Sequence, residues 1–152
     1  MSAEDQPPPT AAKKILIVED DKTALLVLAQ MVQTAGYIAV AAADSAEAIS
    51  AFELEKPDLV LVDINLRGEN VGQPLDGLGL IDWLKYRHPD HAFSYIIVSG
   101  DDLQTHQTRA TALEAFSFIQ KPIDPNLMLS EVRRAFGDLL DSEQLGSTSE
   151  ER

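Results

Sequence analysis

The sequence predicts an α/β fold: a parallel five-stranded sheet covered by helices on both faces, a (βα)₅ three-layer sandwich in one domain. Three observations predict it. Strand-like apolar runs alternate with segments of helical period. Several of those runs are continuously hydrophobic, as strands covered on both faces should be. Four of them end on a reactive polar residue: ILIV before Glu19-Asp20, LVLV before Asp63, YIIV before Ser99 and FIQ before Lys121. In an open parallel sheet, ligand sites form outside the carboxyl ends of the strands, so these residues are expected to converge on one crevice.

Strands are expected at Lys14–Val18, Tyr37–Ala41, Leu59–Val62, Tyr95–Val98 and Ser117–Ile119. The first helix, Lys22–Ala35, places Leu25, Leu28, Met31 and Val32 at helical spacing and stops at Gly36. The second starts at Asp44-Ser45, good capping residues, buries Ala48, Ile49 and Phe52, and ends before Pro57. The third, Gly77–Arg87, turns Leu80, Ile81 and Leu84 inward, with Trp83 at the edge of that face. The fourth, Leu103–Ala115, is weakly apolar. The fifth follows Asp124-Pro125-Asn126, where proline favours a helix start, and presents Leu127, Val132, Phe136 and Leu139 or Leu140. Residues 1–12, acidic with three consecutive prolines, read as a disordered leader, and DSEQLGSTSEER at 141–152 as a disordered acidic tail. The domain is expected over 13–140.

Composition excludes several classes of function. With no cysteine, disulfides, thiolate metal sites and cysteine catalysis are out. The net charge of −13 divides into −2 over residues 1–12, −7 over 13–137 and −4 over 138–152, which argues against phosphate-backbone binding and leaves no nucleic-acid partner expected. No apolar stretch is long enough to span a bilayer and no signal peptide opens the chain, so no membrane partner and a cytoplasmic location are expected. Neither a glycine-rich dinucleotide fingerprint nor a GxxxxGK[ST] phosphate loop occurs. His88, His91 and His106 are expected to be solvated, since His88-Pro-Asp-His91 straddles a proline turn unsuited to a helical metal pair.

Clustered carboxylates in a partly dry crevice repel unless a hard cation relieves them, and an oxygen-only donor set selects Mg²⁺ or Mn²⁺. Asp63 is then the candidate nucleophile toward a phosphoryl donor, giving an acyl phosphate. Lys121 and Ser99 would neutralise charge on the transferring oxygens. For Asp21 the simpler reading is an acidic cap on the first helix.

These residues, in this order and each at a strand end, resemble the receiver domain of bacterial response regulators, the aspartyl-phosphate switch of two-component signalling. The resemblance spans roughly residues 13–140. It implies the flavodoxin-like strand order 2-1-3-4-5, an order the chemotaxis receiver itself exemplifies. It further implies Glu19 and Asp20 as the acidic pair, Asp63 as phosphoacceptor and Asn65 as donor of a metal-holding backbone carbonyl. Ser99 matches the switch hydroxyl, Phe118 the switch aromatic and Lys121-Pro122 the Lys-Pro pair. The implied partners are a histidine kinase or histidine phosphotransfer protein upstream and a target protein on the fourth helix, fifth strand and fifth helix, with a phosphorylation-linked dimer as a further option. Such a domain is a switch that assists its own phosphorylation and dephosphorylation, not a classical enzyme.

Two departures stand out. The loop between Asp63 and Asp76-Gly77 is about six residues longer than the usual turn, the extra residues falling within Gly68–Leu75, an insertion of mild entropic cost. The connection ALEAFSFIQKP carries no glycine before the last strand. The alternative functions are a pseudo-receiver that binds proteins without phosphorylation, and an aspartate-nucleophile phosphatase. The latter would need its DxD motif after the first strand, where this chain reads Glu-Asp-Asp.

Overall fold

A computed structural model describes residues 12–66, 76–100 and 114–137. Within them the chain runs β1 (Lys14–Val18), α1 (Lys22–Thr34), β2 (Ile38–Ala42), α2 (Ser45–Glu55), β3 (Leu59–Asp63), α3 (Gly77–Arg87), β4 (Ser94–Ser99), β5 (Ser117–Gln120) and α4 (Pro125–Phe136). All strands pair in parallel, in the order β2-β1-β3-β4-β5. The fold class expected from the sequence is the one found. The helix expected over 103–115 lies outside the described residues except at Glu114 and Ala115, which are a turn and coil and not helix; the loop Gly68–Leu75, Leu139, Leu140, His106, the tail at 141–152 and all of the leader but its last residue also lie outside them. Thus α4 is the helix anticipated as fifth.

Side chains alternate along each strand, so one strand feeds two cores. From β1, Leu16 and Val18 join Phe52 of α2 and Leu80, Ile81 and Leu84 of α3 on one face. Ile15 and Ile17 join Leu25, Leu28 and Val32 of α1 and Met128 and Val132 of α4 on the other. Strand β3, central in the sheet, is buried at every position.

Each helix is started by an aspartate. Asp21 accepts hydrogen bonds from the Thr23 and Ala24 amides, Asp44 from Glu47, Asp76 from Gly79, and Asp124 from Asn126 and Leu127. A side-chain oxygen there satisfies amides that lack an intrahelical partner, and its charge suits the positive helix end. Part of the acidic excess is therefore structural. Glycines close two helices in left-handed geometry, Gly36 at φ 102° and Gly137 at φ 75°.

Three expectations need correction. β2 begins one residue late, because the Tyr37 amide donates to the Val32 carbonyl and finishes the turn after α1. Leu127 is 47 % exposed, and the inward stripe of α4 instead runs through Met128 and Val132, four residues apart on one face. His88 and His91 are not solvated but packed on Phe52, with ring centroids 5.2 and 5.4 Å away. The His91 ring nitrogen Nε2 sits 2.7 Å from the Pro57 carbonyl oxygen. This aromatic cluster, completed by Phe93, lies at the amino ends of the strands, opposite the carboxyl edge.

Tyr95 enters the same core from β4 at 3 % exposure. Burial, reinforced by Glu114 and Asp82, pushes its phenol from 10.0 up to about 12. A neutral phenol is thus favoured by folding, so stability is intact below pH 10 and is lost as pH rises through about 12. The loss from this one group should approach roughly 3 kcal/mol. Tyr95→Phe should remove that part of the alkaline decline, measured as urea-unfolding free energy from pH 9 upward. Parallel curves for both proteins would contradict the assignment.

Candidate functional site

Parallel strands deliver their carboxyl ends to one edge, and in the order found, β1, β3, β4 and β5 lie side by side there. Glu19 follows β1, its amide donating to the Ala42 carbonyl and prolonging the ladder with β2. Its side chain is only 2 % exposed, with Oε2 accepting from the Asp21 amide at 3.0 Å. Asp63 closes β3 at 4 % exposure, with Oδ1 accepting from the Asn65 amide at 3.0 Å. Lys121 leaves β5 with its amide donating to the Ser99 carbonyl, and its peptide bond to Pro122 is cis.

Asp63 and Lys121 are separated by β4, so their strands lie about 10 Å apart. Only a long side chain closes that gap. The Lys121 ammonium donates to Asp63 Oδ2 at 3.0 Å and to Glu19 Oε1 at 3.1 Å. Burial works to lower the Lys121 pKa, but the hydrogen bonds to Asp63 and Glu19 outweigh it and the net shift is upward, so the group stays charged. Burial pushes Glu19 upward and the neighbouring Asp63 charge adds to this, against the opposing bonds from Asp21 and Lys121.

Half-buried Asp20 completes an acidic set. One oxygen from each of Glu19, Asp20 and Asp63 lies within 4.8 Å of the others. Three carboxylates drawn this close together repel, and a divalent cation among them would relieve that repulsion. The donors are all oxygen, as Mg²⁺ or Mn²⁺ prefers, so the residues present fit such an ion.

Asn65 is exposed beside Asp63, with its backbone within the same turn. Ser99, fully buried, ends β4 between Asp63 and Lys121 in strand order. Phe118 is outside this cluster, half-buried against the core that holds Tyr95 and Ile97. Since Phe118 pairs with Ile97, two residues before Ser99, it shares the face of β4 on which Ser99 falls.

Sequence reasoning did not single out Gly77. The structure sets it against Asp63, its amide donating to the Ile64 carbonyl at 2.9 Å. The available signal was a glycine in the first helical turn, directly after a capping aspartate, where alanine would favour the helix by about 1 kcal/mol.

Residues 15–133 match the family model of the response regulator receiver domain. The chain belongs to that family. It is 30% identical over 113 residues to the nitrogen assimilation regulatory protein NtrX of Azorhizobium caulinodans, covering 74% of this chain and 24% of that protein. The chain spans about a quarter of the length of this relative and of several other curated response regulators that it matches. Among solved structures, a CheY-like receiver domain protein from Methanospirillum hungatei superposes with a TM-score of 0.70 at 27% identity, covering 84% of this chain and 96% of that one. The receiver domain of NtrX from Brucella abortus gives a TM-score of 0.68 at 29% identity, with 81% and 98% covered. Response regulators act in two-component signalling, and a receiver is a signalling domain, not a classical enzyme. Among the described residues no helix is long and apolar enough to cross a membrane.

In the metal-free receiver, Asp63 is buried beside a second carboxylate, and its removal leaves Glu19 still paired with Lys121. Asp63→Asn should therefore stabilise the protein in chelator by roughly 1 kcal/mol, read as a higher urea midpoint. A lowered midpoint would mean that the Lys121 pair outweighs desolvation and repulsion at Asp63.

Proposed function

We propose that this receiver is a phosphorylation-dependent switch in which Asp63 accepts a phosphoryl group from a histidine kinase or histidine phosphotransfer protein. The observation that carries the reading is the Lys121 ammonium held 3.0 Å from Asp63 Oδ2 and 3.1 Å from Glu19, at an edge where three carboxylates converge. Asp63 attacks phosphorus of a phosphoimidazole, the P–N bond breaks as the acyl P–O bond forms, and the imidazole nitrogen leaves with the electron pair and takes up a proton. Lys121 then transfers its hydrogen bond from the carboxylate to a phosphoryl oxygen as a point charge.

Glu19, Asp20, Asp63 and the Asn65 backbone carbonyl would hold Mg²⁺, with Mn²⁺ as a substitute. When bound, the ion supplies charge neutralisation on the transferring oxygens. The receiver would assist its own phosphorylation and dephosphorylation through these same residues. Ser99 would donate a hydrogen bond to the new phosphoryl oxygens, and Phe118 would turn into the volume so opened, changing the surface of β5 and α4 offered to a target protein or second copy.

A donor protein must bring its imidazole to the carboxyl edge. There a cavity of about 370 Å³ runs between α1 and the loop after β5, lined by Glu19, Val27, Met31, Lys121, Pro122 and Ile123. Val27 at its wall is 52 % exposed. A helix carrying phosphohistidine beside an apolar strip fits this groove, its apolar residues on Val27 and Met31 and its reactive nitrogen toward Asp63.

Incubation with acetyl phosphate and Mg²⁺ should add the mass of one phosphoryl group, and Asp63→Asn should abolish the gain. Absence of any gain in the wild-type protein would favour the pseudo-receiver, and multiple turnover of unrelated phosphoesters the phosphatase.

A further inference from the structure

Gly77 occupies the first position of α3, where glycine weakens a helix and where its backbone is not in the left-handed region that would require it. Space explains it instead. A Cβ at this position would lie 2.3 Å from the Asp63 carbonyl oxygen, 2.9 Å from the Asp63 carbonyl carbon and 2.9 Å from the Ile64 Cα. All three are backbone atoms, so no side-chain rotation relieves the clash.

The helix is not free to withdraw, because Leu78, Leu80, Ile81 and Leu84 of α3 are all completely buried. The Gly77 amide also donates to the Ile64 carbonyl. One residue thus both abuts the end of β3 and is tied to it. We propose that Gly77 is a positioning residue for phosphoryl transfer, fixing the Asp63-Ile64-Asn65 turn so that the nucleophilic carboxylate and the Asn65 carbonyl keep a common register; this rests on the phosphoacceptor reading. A methyl group there must push the end of β3. In-line transfer is sensitive to displacements of this size, with losses of about a hundredfold for an ångström.

The test compares wild-type protein with Gly77→Ala, each checked for fold by circular dichroism. In the folded variant, without metal, the Asn65 amide resonance should shift, since its donor bond to Asp63 Oδ1 moves with the turn. Mg²⁺ affinity, followed by NMR titration, should fall several-fold. Phosphorylation at saturating acetyl phosphate should slow by roughly tenfold to a hundredfold. Leu84→Ala, which opens a cavity in the core about two turns further along the same helix, should lower the melting temperature yet phosphorylate at close to the wild-type rate. Wild-type rate and Mg²⁺ affinity in Gly77→Ala would overturn the inference. If Gly77→Ala does not fold, Asp76→Ala frays the same turn without adding an atom; several-fold slower phosphorylation supports the inference and an unchanged rate overturns it. Failure of the wild-type protein to be phosphorylated would overturn the phosphoacceptor reading itself, whereas normal wild-type phosphorylation with an indifferent Gly77→Ala removes only the role of Gly77.

Discussion

The ammonium of Lys121 is shared by two carboxylates that are almost wholly removed from water, Glu19 and Asp63, and both of its bonds cross strand boundaries. A buried carboxylate without a cation nearby is costly, and two together are more so. This one contact lets β1 and β3 end on acids while the interior stays closed beneath them. It depends in turn on the strand order, since Lys121 must reach over the end of β4 to find Asp63. The partial neutralisation leaves a site with net negative charge and oxygen donors, open at the sheet edge.

Around that contact, the rest of the fold acts mainly to hold strand ends still. The Glu19 amide extends the β1–β2 ladder, the Ile64 amide donates to the Val98 carbonyl, and the Lys121 amide to that of Ser99. Glu19, Lys121 and the residue next to Asp63 are therefore fixed by main-chain bonds to a neighbouring strand. The chain is also held on both sides of residues 67–75. Leu66 before them is buried in the core, and Asp76 after them caps α3.

The sheet was legible because its strands are unbroken apolar runs ending on polar residues. β1 and α3 fall where their patterns place them, Lys14–Val18 and Gly77–Arg87. What was not legible follows from interactions that no local pattern encodes. The start of β2 is set by the Tyr37 amide turning back to Val32, a bond of the preceding helix. Leu127 is apolar like Met128, and which of the two is buried depends on the face that α4 turns to the sheet. His88 and His91 are polar by type yet pack on Phe52, a residue far away in sequence. At the edge, the residue types of Glu19, Asp20, Asp63 and Lys121 and their strand-end positions could be read in advance, whereas the contact distances could not. Gly77 went unremarked because its constraint is the carbonyl of Asp63, visible only once α3 is docked on β3.

The Lys121 ammonium, held between two of the three carboxylates at the edge, governs how much negative charge meets an incoming ion. Replacing it by methionine keeps most of the stem and removes the charge, so the site would become more negative by one unit and offer a freed carboxylate oxygen to a divalent ion. Isothermal titration of Mg²⁺ into Lys121→Met should show affinity raised roughly five- to tenfold over the wild-type receiver, the effect of about 1 kcal/mol of repulsion removed. Unchanged or weaker Mg²⁺ binding would contradict the account.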